Sequence, residues 1–399
     1  MGSYASHTEE TPGVFAEACL EELSHGELER YSRHLILPEI GQEGQKKLKA
    51  AKVLVVGTGA LSSPLTMYLA AAGVGALGLV DDDIVEESNL QRQIIHAVST
   101  LGRLKTESAR ARIQDINPYV AVSTYNVRLA AANALELFSG FDVIVDGSDN
   151  FPTRYLINDA CVLLGKPLVY GAVYRFEGYA AVFDARRGGC LRCLFPHPPD
   201  PRFVTNCGEG GVLGTLPGIV GSIQANEVVK LIVGGGRPLI NRLVRFDAWE
   251  MRINQLTLAK DPSCPLCGEA PSITGLIDYE AFCGIRTREE SCRVPTISAR
   301  ALKTRLDHGE LFDIIDIRLP HELTMGCLPG AISIPLAKLI RDVSVLDPAK
   351  ETVLVCKKGE SSEIAAIELL EQGYKGRLLH LGGGMNAWAR EVDPSIPIY

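Results

Sequence analysis

A glycine turn between an apolar strand and a small-residue helix is the feature that most constrains how this chain can fold. Four apolar residues at 53–56 are followed by Gly57, Gly59 and Ala60, and residues 63–76 are then rich in alanine and leucine. An apolar run before a glycine turn is typical of a buried parallel strand. Glycines in the turn let backbone N–H groups approach a phosphate at the start of the helix. The pattern predicts an α/β, Rossmann-like nucleotide-binding domain.

The same turn has a plainer explanation, because glycines also let a helix pack closely on a strand. Ala60 and Ser62 stand where this fingerprint usually has glycine. Polar residues downstream favour the nucleotide, since Asp81 lies 22 residues after Gly59, where an acid reaches the ribose hydroxyls. An arginine in the following loop suits an enzyme that neutralises phosphate charge. The candidate nucleotide-binding residues of this stretch are Asp81, Asp83, Ser88, Asn89, Arg92 and Gln93.

Two further polar positions complete the candidate nucleotide site. Lys105 opens a helix predicted over 105–116, while Asp149 and Asn150 follow an apolar strand at 141–146. Ligands of open α/β sheets bind at the carboxyl ends of the strands. Asp149 and Asn150 have an alternative explanation as surface-turn residues, which these residue types favour. Polar clusters after three successive strands together predict one binding cleft.

Two C-x-x-C pairs predict a metal site. Cys190 and Cys193 form the first pair, and Cys264 and Cys267 form the second. Four thiolates suit tetrahedral Zn²⁺, and a closed shell of four sulfurs leaves no position for catalysis. Redox pairs and unbound thiols are the alternatives. Between the pairs, Cys207 lies in a glycine-rich loop and is a candidate nucleophile, or simply a small residue in a tight turn.

Composition excludes several classes of protein. The 399 residues carry a net charge of −8, with 46% apolar and 22% charged residues, which argues for a folded protein and against nucleic acid as the main ligand. Charged residues or glycine interrupt the longest apolar runs, so no membrane span is expected. An odd count of eleven cysteines without an apparent export signal favours thiols, metal or catalysis over disulfides. A cytoplasmic location is therefore expected.

A second pattern begins near Val294. A strand at 352–356 ends in Cys356, and the polar loop after it contains Lys357 and Lys358 and leads into a helix. A thiol at a strand end meets backbone N–H groups of such a loop, which predicts a stabilised thiolate or persulfide. The alternative is an inert buried cysteine.

The first part of the chain resembles the ubiquitin-activating-like adenylyltransferases of the MoeB/ThiF type. The resemblance covers residues 26–268 and includes the segment 30–34, the loop 88–93 and the segment 146–150. It implies ATP as substrate, Mg²⁺ held by Asp149, a structural zinc and a homodimer in which Arg33 reaches the ATP of the neighbouring subunit. It also implies that the cysteine matching Cys207 carries an acyl or sulfur group transiently.

Residues 294–399 resemble a single rhodanese domain, with Cys356 as the sulfur-carrying residue. The match departs at Cys327, where the family usually has histidine, and at Leu323, where an aromatic residue is usual. The two resemblances together indicate a MoeZ/MoeBR-like fusion, divided into an N-terminal tail (1–25), an adenylyltransferase domain (26–268), a linker (269–293) and a rhodanese domain (294–399). Residues 278–283 are an exception within the linker and a candidate for packing on one domain.

The fusion implies a two-step enzyme. The first domain would adenylylate the C-terminal glycine of a ubiquitin-like sulfur carrier protein ending in Gly-Gly. The second would pass persulfide sulfur, received from a cysteine desulfurase or thiosulfate, to form a carrier thiocarboxylate. The implied catalytic residues are Cys356, Cys207, Arg33, Arg92, Lys105 and Asp149. Two rivals remain: a non-catalytic nucleotide-binding or docking protein with a rhodanese-like module, and an NAD-dependent oxidoreductase, which the arginine loop disfavours.

Overall fold

The computed structural model describes residues 20–199, 210–284 and 294–398. The chain divides into two compact units, at residues 1–283 and 284–399. Each unit has its own β-sheet and its own buried apolar clusters.

An eight-stranded sheet forms the centre of the first unit. Its strands are β1 Lys52–Val56, β2 Ala76–Val80, β3 Ala121–Tyr125, β4 Val143–Asp146, β5 Leu168–Tyr174, β6 Glu177–Phe183, β7 Arg242–Asp247 and β8 Arg252–Thr257. Its helices are α1 His25–Arg30, α2 Ser32–Leu35, α3 Gly41–Ala50, α4 Ser62–Ala71, α5 Lys105–Ile116, α6 Ala134–Ser139, α7 Phe151–Leu164, α8 Leu191–Leu194, α9 Leu216–Val233 and α10 Tyr279–Phe282. Two 3₁₀ turns lie at Glu87–Asn89 and Val98–Thr100.

The strand order β3-β2-β1-β4-β5-β6-β7-β8 places β1 near the middle of the sheet. Strands β1 to β5 are parallel, and β5 to β8 are antiparallel. β1 is buried on both faces, because Val53 and Val55 belong to one apolar cluster while Leu54 and Val56 belong to the other. This two-sided burial explains why β1 is a continuous apolar run and does not alternate with polar residues.

Helix α9 combines the length and composition of a membrane span, the only helix of the described ranges to do so. Its mean hydropathy is 1.2 over 18 residues, and 61% of that window is buried inside the unit. It packs on α4, β5 and β6, which is the position of a core helix. Its apolar character is therefore explained by packing within the first unit.

The segment before Gly284 is docked on the first unit by a clasp, which we define as Tyr279–Phe282 (α10) with its contacts. Tyr279 donates a hydrogen bond to Asp159 Oδ2 (2.9 Å). Arg192 donates two more to the same carboxylate, at 2.9 and 2.7 Å. The Arg192 guanidinium also lies over the rings of Phe282 and Tyr155, 4.6 and 5.0 Å from their centroids. The compact unit consequently continues past residue 268, to Cys283.

Replacing Phe282 with alanine is expected to lower the unfolding free energy of the first unit by about 2 kcal/mol. The change removes apolar contact with Tyr155 and uncovers the buried Arg192 guanidinium. Hydrogen exchange of the α7 amides in urea measures the effect. Ile277→Ala is the matched control, because Ile277 is 36% exposed in the same segment. Equal losses in the two variants would contradict the docking described here.

The second unit contains a parallel five-stranded sheet of order β11-β10-β12-β13-β9. Its strands are β9 Thr296–Ile297, β10 Asp313–Asp316, β11 Ile332–Ser333, β12 Thr352–Val355 and β13 Leu378–Leu381. Its helices are α11 Ala299–Asp307, α12 Pro320–Leu323, α13 Leu336–Arg341, α14 Glu360–Glu371 and α15 Gly384–Glu391, with a 3₁₀ turn at Val343–Val345. Apolar clusters lie on both faces of β12, so this strand and the residue that follows it are buried in the core of the second unit.

Candidate active sites

The carboxyl ends of β1, β2 and β4 meet at one edge of the first sheet. Val56 is in register with Val80 on one side and with Asp146 on the other. Gly57 has φ +85°, and a Cβ there would lie 2.8 Å from the carbonyl oxygen of Gly147. Only glycine permits this close approach between the two turns. The crevice beside β1, where the strand order reverses, is the usual ligand site of this architecture.

Asp81 is joined directly to the glycine turn. Its Oδ2 accepts hydrogen bonds from the Thr58 N–H (2.7 Å) and the Thr58 hydroxyl (3.0 Å), and its Oδ1 accepts one from the Asp83 N–H (2.9 Å). Each carboxylate oxygen has two acceptor positions, so capacity for a ribose hydroxyl is left on this carboxylate. The acid after β2 and the turn after β1 thus form one connected structure.

Lys105 places a cation beside this acidic segment. Its Nζ lies 2.7 Å from Asp83 Oδ2, and its backbone N–H donates to the Asp83 carbonyl (2.9 Å). The Lys105 side chain is 9% exposed, whereas that of Asp83 is 68% exposed. The ammonium group is therefore held by a buried stem next to a carboxylate that faces solvent. An anionic ligand could replace that carboxylate as its partner.

The candidate residues of the loop after β2 differ in their contacts. Gln93 is buried beside Gly59, and its Oε1 has no partner among the described residues. Asn89 is also buried and accepts a hydrogen bond from the N–H of Glu86 (3.2 Å), so it stabilises the loop. The guanidinium of Arg92 donates to the Ser88 carbonyl (3.0 Å). Within the described part of the chain, no ion pair joins Arg92 to the acidic segment as one joins Lys105 to Asp83.

The turn after β4 rests on a buried carboxylate. Asp146 Oδ1 accepts hydrogen bonds from the N–H (2.8 Å) and hydroxyl (2.6 Å) of Ser148. Its Oδ2 lies 3.9 Å from Arg154 Nε, and burial raises the pKa of the Asp146 carboxyl. Asn150 caps α7 by accepting from the Thr153 N–H (3.0 Å). Asp149 next to it is exposed, so its carboxylate is accessible to a cation.

Two candidate residues, Arg33 and Cys207, are not among those that these contacts join. Arg33 is exposed on α2, and no hydrogen bond joins it to another described residue. Cys207 lies outside the described residues. The site that the structure assembles within one chain therefore consists of the glycine turn, the acidic segment with Lys105, the Gln93 loop and the turn with Asp149.

The four cysteines of the C-x-x-C pairs converge in the first unit. All four sulfurs lie within 4.8 Å of one another. Cys190 Sγ is 3.8 Å from Cys264 Sγ, and Cys193 Sγ is 3.4 Å from Cys267 Sγ. Four sulfurs about 2.3 Å from one tetrahedral zinc ion are about 3.8 Å apart, so this donor set fits zinc. The Asp261 N–H also donates to Cys193 Sγ (3.5 Å), a contact that would stabilise a metal-bound thiolate.

Loss of the metal is expected to loosen both cysteine pairs. We expect the purified chain to contain about one zinc ion, and Cys264→Ser to lower that content and the thermal stability of the first unit. Elemental analysis and hydrogen exchange of residues 190–194 and 264–268 measure the two effects. Cys327→Ser, at an exposed thiol of the second unit, is the control. A zinc-free Cys264→Ser variant with unchanged exchange would show that metal does not stabilise these segments.

The second unit encloses the Cys356 sulfur in its loop. Cys356 Sγ accepts hydrogen bonds from the N–H groups of Gly359 (3.0 Å) and Ser362 (3.3 Å), and its thiol lies 3.3 Å from the Ser362 hydroxyl oxygen. The N-terminus of α15 contacts the start of the same loop, where the Met385 N–H donates a hydrogen bond to the Cys356 carbonyl (2.9 Å). Gly359 has φ +98°, and a Cβ there would lie 2.7 Å from a backbone nitrogen.

The backbone donors that the loop pattern predicts are present, but burial of the sulfur opposes their effect on the thiolate. Burial raises the pKa of the Cys356 thiol, and the hydrogen bonds from Ser362, Gly359 and Lys358 only partly oppose this effect. The cysteine is 3% exposed, so desolvation of the thiolate outweighs the donors. The resting protein therefore holds Cys356 largely as a thiol.

Three further residues shape the first site and were not predicted from the sequence. Thr58 joins the turn to Asp81, Arg154 lies beside Asp146, and His96 bonds the Thr58 carbonyl (2.9 Å). Thr58 lies between two glycines of the fingerprint, so its position was a usable signal. Nothing in the local pattern distinguishes Arg154 or His96 from other polar residues, because their roles depend on contacts distant in sequence.

Two family models match the chain. The ThiF family matches residues 31–266, and the rhodanese-like domain matches residues 298–391. Probable adenylyltransferase/sulfurtransferase MoeZ of Mycobacterium tuberculosis (strain H37Rv) is 46% identical over 392 residues, with 94% of this chain and 96% of that protein covered. Adenylyltransferase and sulfurtransferase MOCS3 of Culex quinquefasciatus is 40% identical over 405 residues, with 96% and 92% covered.

Solved structures support the fold of the first unit. A crystal structure of E. coli MccB with MccA-N7isoASN has a TM-score of 0.55 at 22% identity, and the match covers 60% of this chain and 74% of that one. A crystal structure of SeMet PaaA has a TM-score of 0.52 at 21% identity, and it covers 62% and 78%. At this identity the likeness concerns the fold alone. The family models and the relatives matched over nearly the whole chain show that this protein belongs to the ThiF family, as a member with a rhodanese-like domain after its ThiF unit.

Proposed function

We propose that the protein is an adenylyltransferase and sulfurtransferase that activates the C-terminal glycine of a ubiquitin-like sulfur carrier protein and converts it to a thiocarboxylate. One observation supports the first step above all. The glycine turn, the Asp81 segment with Lys105 and the turn with Asp149 meet at the carboxyl ends of three neighbouring strands. Family membership supports the same assignment.

The first site is suited to hold ATP. We assign the ribose to Asp81, the phosphates to backbone N–H groups of the turn that contains Gly57, Gly59 and Ala60, and Mg²⁺ to the exposed carboxylate of Asp149. A carboxylate is a hard oxygen ligand that Mg²⁺ prefers, and bound Mg²⁺ keeps several waters. The ion would neutralise phosphate charge in this crevice. Asp83, Ser88, Asn89, Gln93 and Asn150 shape the remaining wall.

Cations make the attack of a carboxylate on a phosphate possible. The carrier's terminal carboxylate attacks the α-phosphorus of ATP, pyrophosphate leaves, and an acyl-adenylate forms. Lys105 and Arg92 reduce the repulsion between the two anions in this step. We assign the same role to Arg33 of the neighbouring subunit in a homodimer, because Arg33 is exposed and makes no hydrogen bond to a described residue of its own chain.

Sulfur transfer then takes place at Cys356. A cysteine desulfurase or thiosulfate leaves a sulfur atom on Cys356 as a persulfide. Its terminal sulfur attacks the acyl carbon, AMP leaves, and the carrier is joined to Cys356 through an acyl disulfide. A thiol, which we assign to Cys207, attacks the Cys356 sulfur and releases the carrier thiocarboxylate. The Cys207–Cys356 disulfide that remains is reduced by an external dithiol.

The four paired cysteines hold a structural zinc in this proposal. Their sulfurs have the spacing of a tetrahedral thiolate set, and Arg192 between the first two is buried against Asp159. The metal joins the segment after β6 to the segment after β8. None of the eight described cysteines forms a disulfide. This state agrees with a reducing compartment, and we propose the cytoplasm.

Exchange of labelled pyrophosphate into ATP, with a purified carrier ending in Gly-Gly, tests the first step. We expect exchange that depends on the carrier, on Mg²⁺ and on the terminal carboxylate. A carrier whose last glycine is amidated is the matched control. Absence of exchange from a folded, zinc-loaded dimer would refute adenylylation, and displacement of bound ATP by NAD would instead favour an oxidoreductase.

A further inference from the structure

A buried histidine forms a hydrogen bond with the backbone of the glycine turn. His96 is 6% exposed, its Nε2 lies 2.9 Å from the Thr58 carbonyl oxygen, and its Nδ1 lies 2.9 Å from the Ser108 hydroxyl oxygen. The Thr58 N–H and hydroxyl are at the same time bonded to Asp81. The ring therefore links α5 to the turn that follows β1.

The protonation state of the ring follows from these contacts. A carbonyl oxygen can only accept, so Nε2 carries the hydrogen and Nδ1 accepts from the Ser108 hydroxyl. Burial lowers the pKa of His96, the bond to Thr58 opposes this, the charge of Lys105 lowers the pKa further, and Asp81 raises it. These are the charged groups that face the ring, and the neutral Nε2–H tautomer is the resting form at neutral pH.

Three successive backbone carbonyl groups of the turn each accept a hydrogen bond. The Gly57 carbonyl accepts from the Ser62 hydroxyl, the Thr58 carbonyl from His96, and the Gly59 carbonyl from the N–H (3.1 Å) and hydroxyl (2.7 Å) of Ser63. The backbone N–H of Gly59 makes no hydrogen bond with any described residue. It is a donor without a partner, next to the nucleotide crevice.

The planar peptide converts the histidine contact into an orientation of that donor. In a trans peptide the C=O of Thr58 and the N–H of Gly59 point in opposite directions. Fixing the carbonyl on His96 therefore directs the Gly59 N–H to the opposite side of the turn. Glycine tolerates a wide range of backbone angles, so without the ring this peptide could rotate.

We propose that His96 is a positioning residue, which orients the Gly59 N–H toward the phosphates of ATP. The inference rests on the assignment of ATP to this crevice and adds the residue that pre-organises its phosphate donor. A donor aimed at developing phosphate charge acts most strongly when its orientation is fixed before the ligand binds. His96 itself does not contact the nucleotide in this arrangement.

Two substitutions separate the hydrogen bond to Thr58 from simple packing. In His96→Gln the amide nitrogen occupies about the position of Nε2 and can still donate to the carbonyl, whereas the shorter side chain of His96→Asn cannot. We expect His96→Asn to lower kcat/KM for ATP in pyrophosphate exchange at least about 10-fold, and His96→Gln to stay within about 3-fold of wild type. Thermal unfolding of both variants shows whether each is folded.

A comparison of two ligands gives the decisive measurement. Titration calorimetry with a non-hydrolysable ATP analogue and with adenosine should show weaker binding of the analogue to His96→Asn and unchanged binding of adenosine, because adenosine has no phosphate. Equal losses for the two ligands would overturn the proposal, since a distorted pocket would weaken both. Equal effects of His96→Asn and His96→Gln would overturn it as well.

A further variant keeps the proposal testable if His96→Asn does not fold. Ser108→Ala removes the hydroxyl that donates to Nδ1, so the ring loses one of its two hydrogen bonds and is held less firmly against the Thr58 carbonyl. We expect a loss of about 2- to 5-fold in affinity for the ATP analogue, with adenosine unaffected. No difference between the two ligands would overturn the proposal. Neither titration needs the carrier protein. If the wild-type protein bound the ATP analogue but showed no pyrophosphate exchange, that result would contradict adenylylation and would leave the proposal for His96 standing.

Discussion

Replacing Cys356 with alanine is expected to lower formation of the carrier thiocarboxylate by at least about 1000-fold while pyrophosphate exchange stays within about 2-fold of wild type. The residue is the only group assigned to carry sulfur in covalent form, and its loss cannot be replaced by a neighbour within the enclosing loop. Exchange depends on residues of the first sheet and should not respond. Mass spectrometry of the carrier and pyrophosphate exchange on the same preparation give the two values.

Cys327→Ala is the matched control for this experiment, because Cys327 is an exposed thiol of the same unit. We expect it to retain both activities. Loss of exchange in Cys356→Ala would contradict the division of labour between the two units. Thiocarboxylate formed at the wild-type rate by that variant would show that another residue carries the sulfur.

The pH dependence of sulfur loading provides a second readout on the same residue. Because burial raises the pKa of the Cys356 thiol, the thiolate fraction increases as the pH rises toward and beyond that raised value. The loading rate should therefore still be rising with pH above the ordinary thiol pKa of about 8.5. Cys356 is thus shielded from solvent, and its reactivity depends on the sulfur donor and on how that donor reaches the thiol.

The sheet could be predicted from the sequence because its signals are local. The helix predicted over 105–116 has the same bounds in the structure, since Asn117 and Pro118 end it. The helix predicted over 63–76 ends earlier, at Ala71, because Gly73 adopts φ +80° and closes the turn. Short segments with clear breakers were thus sufficient to predict β1, β2 and β4, whereas β3 was not predicted.

The clasp could be predicted only in part, because residues 278–283 stand out from the linker composition as a segment that packs on one domain, and the structure confirms that packing. Tyr279–Phe282 is only four residues long, and an isolated segment of that length has no helical stability of its own. Its position depends on Arg192 and Asp159, which are distant in the sequence. Composition suggests a linker there because loops and docked short segments share the same residue types.

The residues of the candidate sites could also be predicted only where their signal is local in the sequence. Asp81, Asp83 and Lys105 could be named from their spacing, and the structure joins them. The raised pKa of Cys356 could not be read from its loop, because it depends on how deeply the sulfur is buried. His96 was missed for a related reason: a polar residue in a loop gains its role only from the carbonyl that it meets in the fold.

Lys105→Met is expected to lower pyrophosphate exchange by about 100- to 1000-fold with little loss of stability. Methionine fills about the volume of the buried stem and removes only the cation, which is the group assigned to the phosphates. Its partner Asp83 has a side chain that is 68% exposed, so water can solvate the carboxylate that the change leaves unpaired. A large loss of activity without unfolding therefore separates a catalytic cation from a structural ion pair.

Lys46→Met is the matched control. Lys46 is similarly shielded, with a side chain 12% exposed, and pairs with Glu22 and Glu43 on the surface of the first unit. We expect that variant to exchange pyrophosphate at the wild-type rate. Lys105→Arg keeps the charge but changes its geometry, so partial activity is expected. If Lys105→Met lost less than about 3-fold in exchange, the charge beside Asp83 would not be the one that offsets carboxylate–phosphate repulsion, and that role would fall to Arg92 and the partner's Arg33.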